Sequence, residues 1–366
     1  MSIQKVYSYS LVCFVLFALV FSLIENKGYE YQNTIENTYR LFLFITFFYF
    51  ARHYDRLEFK LIVFSLLYLS IYILRSYQSG VYYLDILNAN VFIIYTLIFS
   101  QTVKFLLKAK FNYRFYEVFF KFLLIAFFLI YLVKRVLLGM SRPYVYGENN
   151  FELMLVFISF YSLMVKKLLT NIKLWWLLLF GIVILSGSKS GFLILVFLIF
   201  YKLEFRKIYI FILGAIIIIF LGVLSVFISS LDRFGFLLNA INNIISKEVI
   251  ELLLPLQLLP LNQESCTALS FYTGSMNPDS NDCYPKILHI WLLSSFLNHG
   301  LIVIILYLKI FYELLKKYFK KDYLFLYMVP IINGLSVSGF DSIWYFISLI
   351  LIFPLWTQNT SLLKRS

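Results

Sequence analysis

An all-α bundle of about twelve transmembrane helices is the fold class this sequence predicts, and three observations predict it. Only 14% of the residues are charged against 61% hydrophobic. A soluble domain carries roughly a quarter charged residues, so there is too little polar surface here to cover a water-soluble globule. The apolar runs approach the ~17–25 residues a helix needs to cross a bilayer. Lastly, the lysines and arginines fall mainly into alternate gaps between those runs, the pattern of loops sorted to two sides of a membrane.

The first run, 6–24, is too long for a signal-peptide core, and no small-x-small cleavage site precedes Glu25, so it reads as a retained first span. Further runs at 35–51, 59–74, 84–103, 115–133, 151–166, 173–187, 190–203, 207–229, 289–308, 322–338 and 342–357 complete one integral membrane domain over 1–366. With both termini in the cytoplasm, the inner gaps and termini hold 21 of the 32 basic residues, in groups such as Arg52, Arg56 and Lys60, or Lys316, Lys317, Lys320 and Lys321. The inverted orientation would place this larger set outside, against the positive-inside rule. The net charge of +13 follows from such loops and requires no nucleic acid.

One loop is long: 230–286, on the outer face between spans nine and ten. Phe234, Leu237, Leu238, Ile241, Ile244 and Ile245 recur there near helical spacing, with Asn239, Asn242, Asn243 and Lys247 mostly on the other side. The spacing predicts an amphipathic helix suited to lie in the bilayer interface or to cap the bundle. Pro255 and Pro260 interrupt it, and 261–286 reads as polar loop. Cys266 and Cys283 enclose sixteen residues of that loop, as either a disulfide or two free thiols. Cys13 reads as a small buried hydrophobe within the first span.

Neither a Walker loop, a Rossmann glycine fingerprint nor a His-x-x-x-His zinc pair is present, so neither cofactor nor metal is expected. Asp279 and Asp282 read as a solvated turn. Three segments on the outer side carry chemistry instead. Residues 141–150, SRPYVYGENN, gather Arg142, Glu148, Asn149 and Asn150 around a turn at Pro143 and Gly147. Arginine presents a planar fork suited to phosphate, and asparagine the paired donor and acceptor that a sugar hydroxyl needs. An interfacial arginine snorkelling to headgroups would look the same. Residues 185–191, LSGSKSG, put Ser188, Lys189 and Ser190 at a helix start, where backbone N–H groups and a point charge favour an anion. His289 opens the span after the long loop and can serve there as a general base or as a helix cap. His299 lies ten residues further, about 15 Å along a regular helix, too far to share a small site with it. Asp341, in the last hairpin, reads first as a helix cap.

The order Arg142-x-x-x-x-Gly147-x-x-Asn150, then Ser186-Gly-Ser-Lys-Ser-Gly191, then a long outer loop, then His289 with Gly300 eleven residues on, resembles the O-antigen polymerase and ligase superfamily. The motifs cover roughly 140–300, and the topology the whole chain. Three departures stand out: Lys189 sits where Arg is usual, Ile290 where Asn often follows the histidine, and Asn298 where an acid is common near the glycine. The resemblance implies a membrane glycosyltransferase in polysaccharide and lipopolysaccharide biosynthesis, located in the cytoplasmic (inner) membrane. It implies an undecaprenyl-pyrophosphate-linked oligosaccharide as substrate, membrane lipid around it, and a chain-length regulator and flippase as partners. It also implies roles: Arg142 and Lys189 on the pyrophosphate, His289 as base with Glu148 as its substitute, and Asn149, Asn150, Ser188 and Ser190 in substrate binding. A polymerase is the first expectation and a ligase acting on lipid A core the alternative. A flippase or other transporter is a different class, disfavoured by charges gathered at membrane boundaries and by the lack of repeated halves.

Overall fold

A computed structural model describes residues 2–24, 38, 41, 56–107, 109–140, 143, 145–146, 152–202, 231–269, 282–288, 290–335 and 339–357. Every regular element among them is helical, as the composition predicts. In chain order the helices are α1 (Ile3–Ile24), α2 (Arg56–Gln78), α3 (Tyr83–Ala89), α4 (Val91–Leu106), α5 (Tyr113–Leu132), α6 (Leu153–Val165), α7 (Ile172–Ser186) and α8 (Lys189–Lys202). The long loop then contributes α9 (Leu231–Ser246), α10 (Val249–Leu253) and α11 (Gln263–Ala268). The chain ends in α12 (Trp291–Phe319), α13 (Tyr323–Gly334) and α14 (Ile343–Thr357). The expected spans 35–51 and 207–229 lie outside the described residues.

Four described stretches are long and apolar enough to cross a membrane: Ile3–Val20, Phe59–Gln78, Tyr113–Leu137 and Trp291–Gly334, the last being α12 with α13. The pair α3 and α4, bent by 58°, makes a fifth if counted as one span. The remaining apolar helices α6, α7 and α14 are shorter. Helices α6 and α14 form the centre, each flanked by α5 and packed on the other. Every residue from Leu153 to Leu163 and from Ile343 to Leu355 is buried. Both sequences are apolar on all sides, and such a helix is stable only where all sides are covered. The peripheral helices do the reverse. Helix α2 turns Val63, Leu66, Leu67 and Leu74 outward, and α5 turns out Val118, Phe122 and Leu129. Outward faces as apolar as these fit lipid rather than water.

Helix α12 is not the regular span that its sequence suggests. It breaks at Gly300, whose φ of 72° is non-helical, and Leu253 and Pro255 of the long loop fill the notch. A Cβ built on Gly300 would lie 2.5 Å from Pro255 Cδ and 2.6 Å from the Leu253 carbonyl oxygen. Only glycine tolerates both the left-handed backbone and that approach. Gly300→Ala should therefore lower stability by at least the 1–3 kcal/mol or so of a strained backbone. Thermal unfolding of the purified protein in detergent checks this; an unchanged midpoint would mean that the notch is not fixed.

Candidate functional site

One end of the bundle holds the described parts of two segments singled out from the sequence, Val145–Tyr146 and Ser188–Ser190. There α5 finishes in a π-helical turn, Val133–Leu137, which places the Lys134 side chain inside the protein. Single π turns of this kind concentrate at functional sites because they re-aim a side chain within an otherwise regular helix. Arg135 faces the other way and donates to the Met140 carbonyl at 3.2 Å. The chain then enters the 141–150 segment. Of that segment the structure describes Pro143, Val145 and Tyr146, whereas Arg142, Glu148, Asn149 and Asn150 lie outside the described residues. His289 does too.

Tyr146 is the wedge that holds the segment. Its ring stacks on Trp344 of α14 with centroids 4.0 Å apart and planes within 9°, and meets Phe127 of α5 edge-on at 5.4 Å. Its hydroxyl donates to the Val15 carbonyl of α1 at 3.0 Å. Glu152 then ties the segment to α5. One carboxylate oxygen, Oε1, accepts from the Val145 amide at 2.9 Å and from the Tyr131 hydroxyl at 2.8 Å. The other, Oε2, is buried and bonds to nothing among the described residues.

The Ser-Lys-Ser turn stands beside this base. Gly187, at φ 63°, ends α7 in the left-handed conformation common at helix C-termini. Ser188 then caps α8: its hydroxyl accepts from the Gly191 amide at 3.1 Å and lies 3.2 Å from the Ser190 hydroxyl. Both serines are buried, so their hydroxyls build the turn, while Lys189 is half-exposed as the first residue of α8. Gly191 brings the turn against α6. A Cβ there would sit 2.7 Å from Leu153 Cδ1, next in the chain to Glu152. Asp341, expected as a cap, accepts from the Gly339 amide at 2.8 Å in the hairpin before α14.

The structure therefore brings together the base of the 141–152 segment and the Ser188–Gly191 turn. Sequence reading missed Glu152, Tyr131 and the inward direction of Lys134. A signal was available: Glu152 is an isolated acid at the start of an apolar run, and ionisable groups in such places are seldom incidental. Among the described residues no group of three or more His, Cys, Asp or Glu is placed to hold a metal. Neither family models, nor curated proteins, nor solved structures match this chain.

Glu152 gives a paired prediction. Glu152→Ala removes the acceptor of two buried donors and should cost roughly 1–3 kcal/mol for each orphaned group. Glu152→Gln keeps an acceptor for Val145 and Tyr131 and should stay close to the native stability. Unfolding midpoints of the three purified proteins in detergent would show this, and an alanine variant as stable as the glutamine one would rule it out.

Proposed function

We propose that this chain polymerises glycan repeat units carried on undecaprenyl pyrophosphate, acting at the outer face of the cytoplasmic membrane. The observation that carries the reading is the contact of Gly191 with Leu153, which sets the turn bearing Lys189 beside the base of the segment bearing Arg142. The turn at Ser188–Gly191 thus lies against Leu153, which follows Glu152, the residue that holds Val145 of the other segment. The disulfide between Cys266 and Cys283, with Cα atoms 5.5 Å apart, supports assigning that end to an oxidising compartment. In this reading the chain crosses the membrane twelve times with both termini inside.

The chemistry suits a compartment without nucleotides, because the leaving group brings its own activation. His289 takes the proton of an acceptor sugar hydroxyl, with Glu148 as substitute base. The hydroxyl oxygen bonds to the anomeric carbon of the donor. The bond from that carbon to the pyrophosphate oxygen breaks, and the pyrophosphate leaves with the electron pair. Arg142 and Lys189 stabilise the charge that gathers there. Asn149 and Asn150 orient sugar hydroxyls, and Ser188 with Ser190 fixes the turn that aims Lys189. A ligase would use the same groups with lipid A core as acceptor. A flippase or other transporter is favoured by one observation, the buried Glu152 near Lys134, since buried ionisable groups often line transport paths.

Surface polysaccharide from a deletion strain separates these readings on a gel. A ladder reduced to core plus one repeat supports polymerisation. Loss of every substituted band with lipid-linked polymer accumulating means a ligase, and loss of both means transport. Complementation with Arg142→Ala should leave transfer reduced on the order of 100-fold or more, the scale of removing one group that stabilises developing charge. A full ladder from that variant, correctly inserted, would end the pyrophosphate-grip assignment.

A further inference from the structure

We infer that α9 and α10 form a membrane-surface anchor, lying in the headgroup boundary of the leaflet on the disulfide side with bilayer lipid as the occupant of their outward face. Phe236, Ala240 and Asn243 form the packed face of α9, against Leu261, Leu269 and Cys283. Asn243 is committed to that contact: Nδ2 donates to the Ser265 hydroxyl and Oδ1 accepts from the Asn262 amide, both at 2.7 Å. With the disulfide closing the same small core, the helix cannot roll over.

Leu237, Ile241 and Ile245, at four-residue spacing, are thereby turned outward with Leu238 beside them. The apolar surface continues into α10, and Ile245, Val249 and Ile250 are 77%, 71% and 70% exposed. Asn242 and Ser246 are exposed on the third side. One face packed on protein, one apolar and open, and one polar is the arrangement of a helix at a lipid–water boundary. A second copy of the chain would also cover apolar residues, but it would not call for the height at which this helix is held.

That height is fixed by the segment after α10. The Leu258 amide donates to the Ser76 hydroxyl at 2.7 Å, and the Ser79 hydroxyl donates to Gln257 at 3.1 Å, both at the last turn of α2. Around this turn Tyr77 and Tyr83 are exposed, and Tyr82 packs on Tyr83 with centroids 4.6 Å apart. Tyrosines gathered at the end of an apolar helix mark the membrane–water interface. The outward apolar face of α9 and α10 is thus tied to that level. The inference holds whichever reaction the chain performs.

The test uses the full chain in phosphatidylcholine nanodiscs with Cys13→Ser as background and single cysteines at Ile245, Val249 and Asn242 carrying an environment-sensitive fluorophore. Mass spectrometry first confirms that Cys266–Cys283 is intact in each. Brominated phosphatidylcholine should quench the probes at 245 and 249 at least threefold more than the probe at 242. Quenching as weak at 245 and 249 as at 242, with aqueous iodide reaching all three, would overturn the anchor. So would weak lipid quenching together with two copies per disc by mass photometry, which would make a second chain the occupant.

Discussion

Helix α14 is apolar on every side, and water, lipid headgroups or a polar cleft against any of its sides would leave that composition unexplained. The fold answers by surrounding it. Helices α1, α4, α5 and α6 pack on it directly, and rings of α12 reach it through Phe311 against Tyr345 and Phe346, 5.6–6.0 Å between centroids. Lipid tails are as apolar as leucine, so hydrophobicity alone does not draw helices together inside a bilayer; close packing and polar links do. The links are present. The Tyr345 hydroxyl of α14 donates to the Leu326 carbonyl of α13, and the Tyr307 hydroxyl of α12 bonds Ser65 of α2. Because α6 and α14 are wrapped by protein at their ends, they need not span the full hydrocarbon thickness, which is how helices shorter than a membrane span occupy the centre of this bundle.

Much of this architecture was legible because composition and periodicity are local properties. The absence of strands among the described residues, the positions of ten helical segments and the helix in the long loop all follow from runs and turns in the sequence. The breaks were not legible. Asn90 separates α3 from α4 inside one apolar run, and Gly300 interrupts α12 inside another, and neither residue is a strong enough punctuator to announce a bend. Which face α9 buries was left open for a different reason: periodicity marks an apolar face without saying what that face meets, and here Asn243 rather than Ile245 turns inward.

The candidate site divides along the same line. The 185–191 turn was readable as a glycine-serine turn at a helix start, though not that Ser188 caps α8 or that both serines are buried. The scaffold beneath 141–150 was not, because it depends on partners distant in sequence: Val15, Phe127, Tyr131 and Trp344 around Tyr146 and Glu152. A buried carboxylate with one oxygen doubly bonded and the other unoccupied by the described residues is an expensive way to hold a loop.

The two broken helices bear on how that end is held. A break inside a membrane bundle strands carbonyls that neither water nor lipid can satisfy, so each needs a protein partner. Here the breaks supply partners to each other. His299, next to the Gly300 break, donates from Nε2 to the carbonyl of Ala89, next to the Asn90 break, at 2.7 Å; a carbonyl only accepts, so the proton sits on that nitrogen. The Tyr68 hydroxyl lies 3.1 Å from the other ring nitrogen, and Tyr72 donates to the Asn298 carbonyl at 3.0 Å. His299 joins α2, α3 and α12. The loop segment Leu253–Pro255, fitted into the Gly300 notch, completes the joint from the side of α9 and α10.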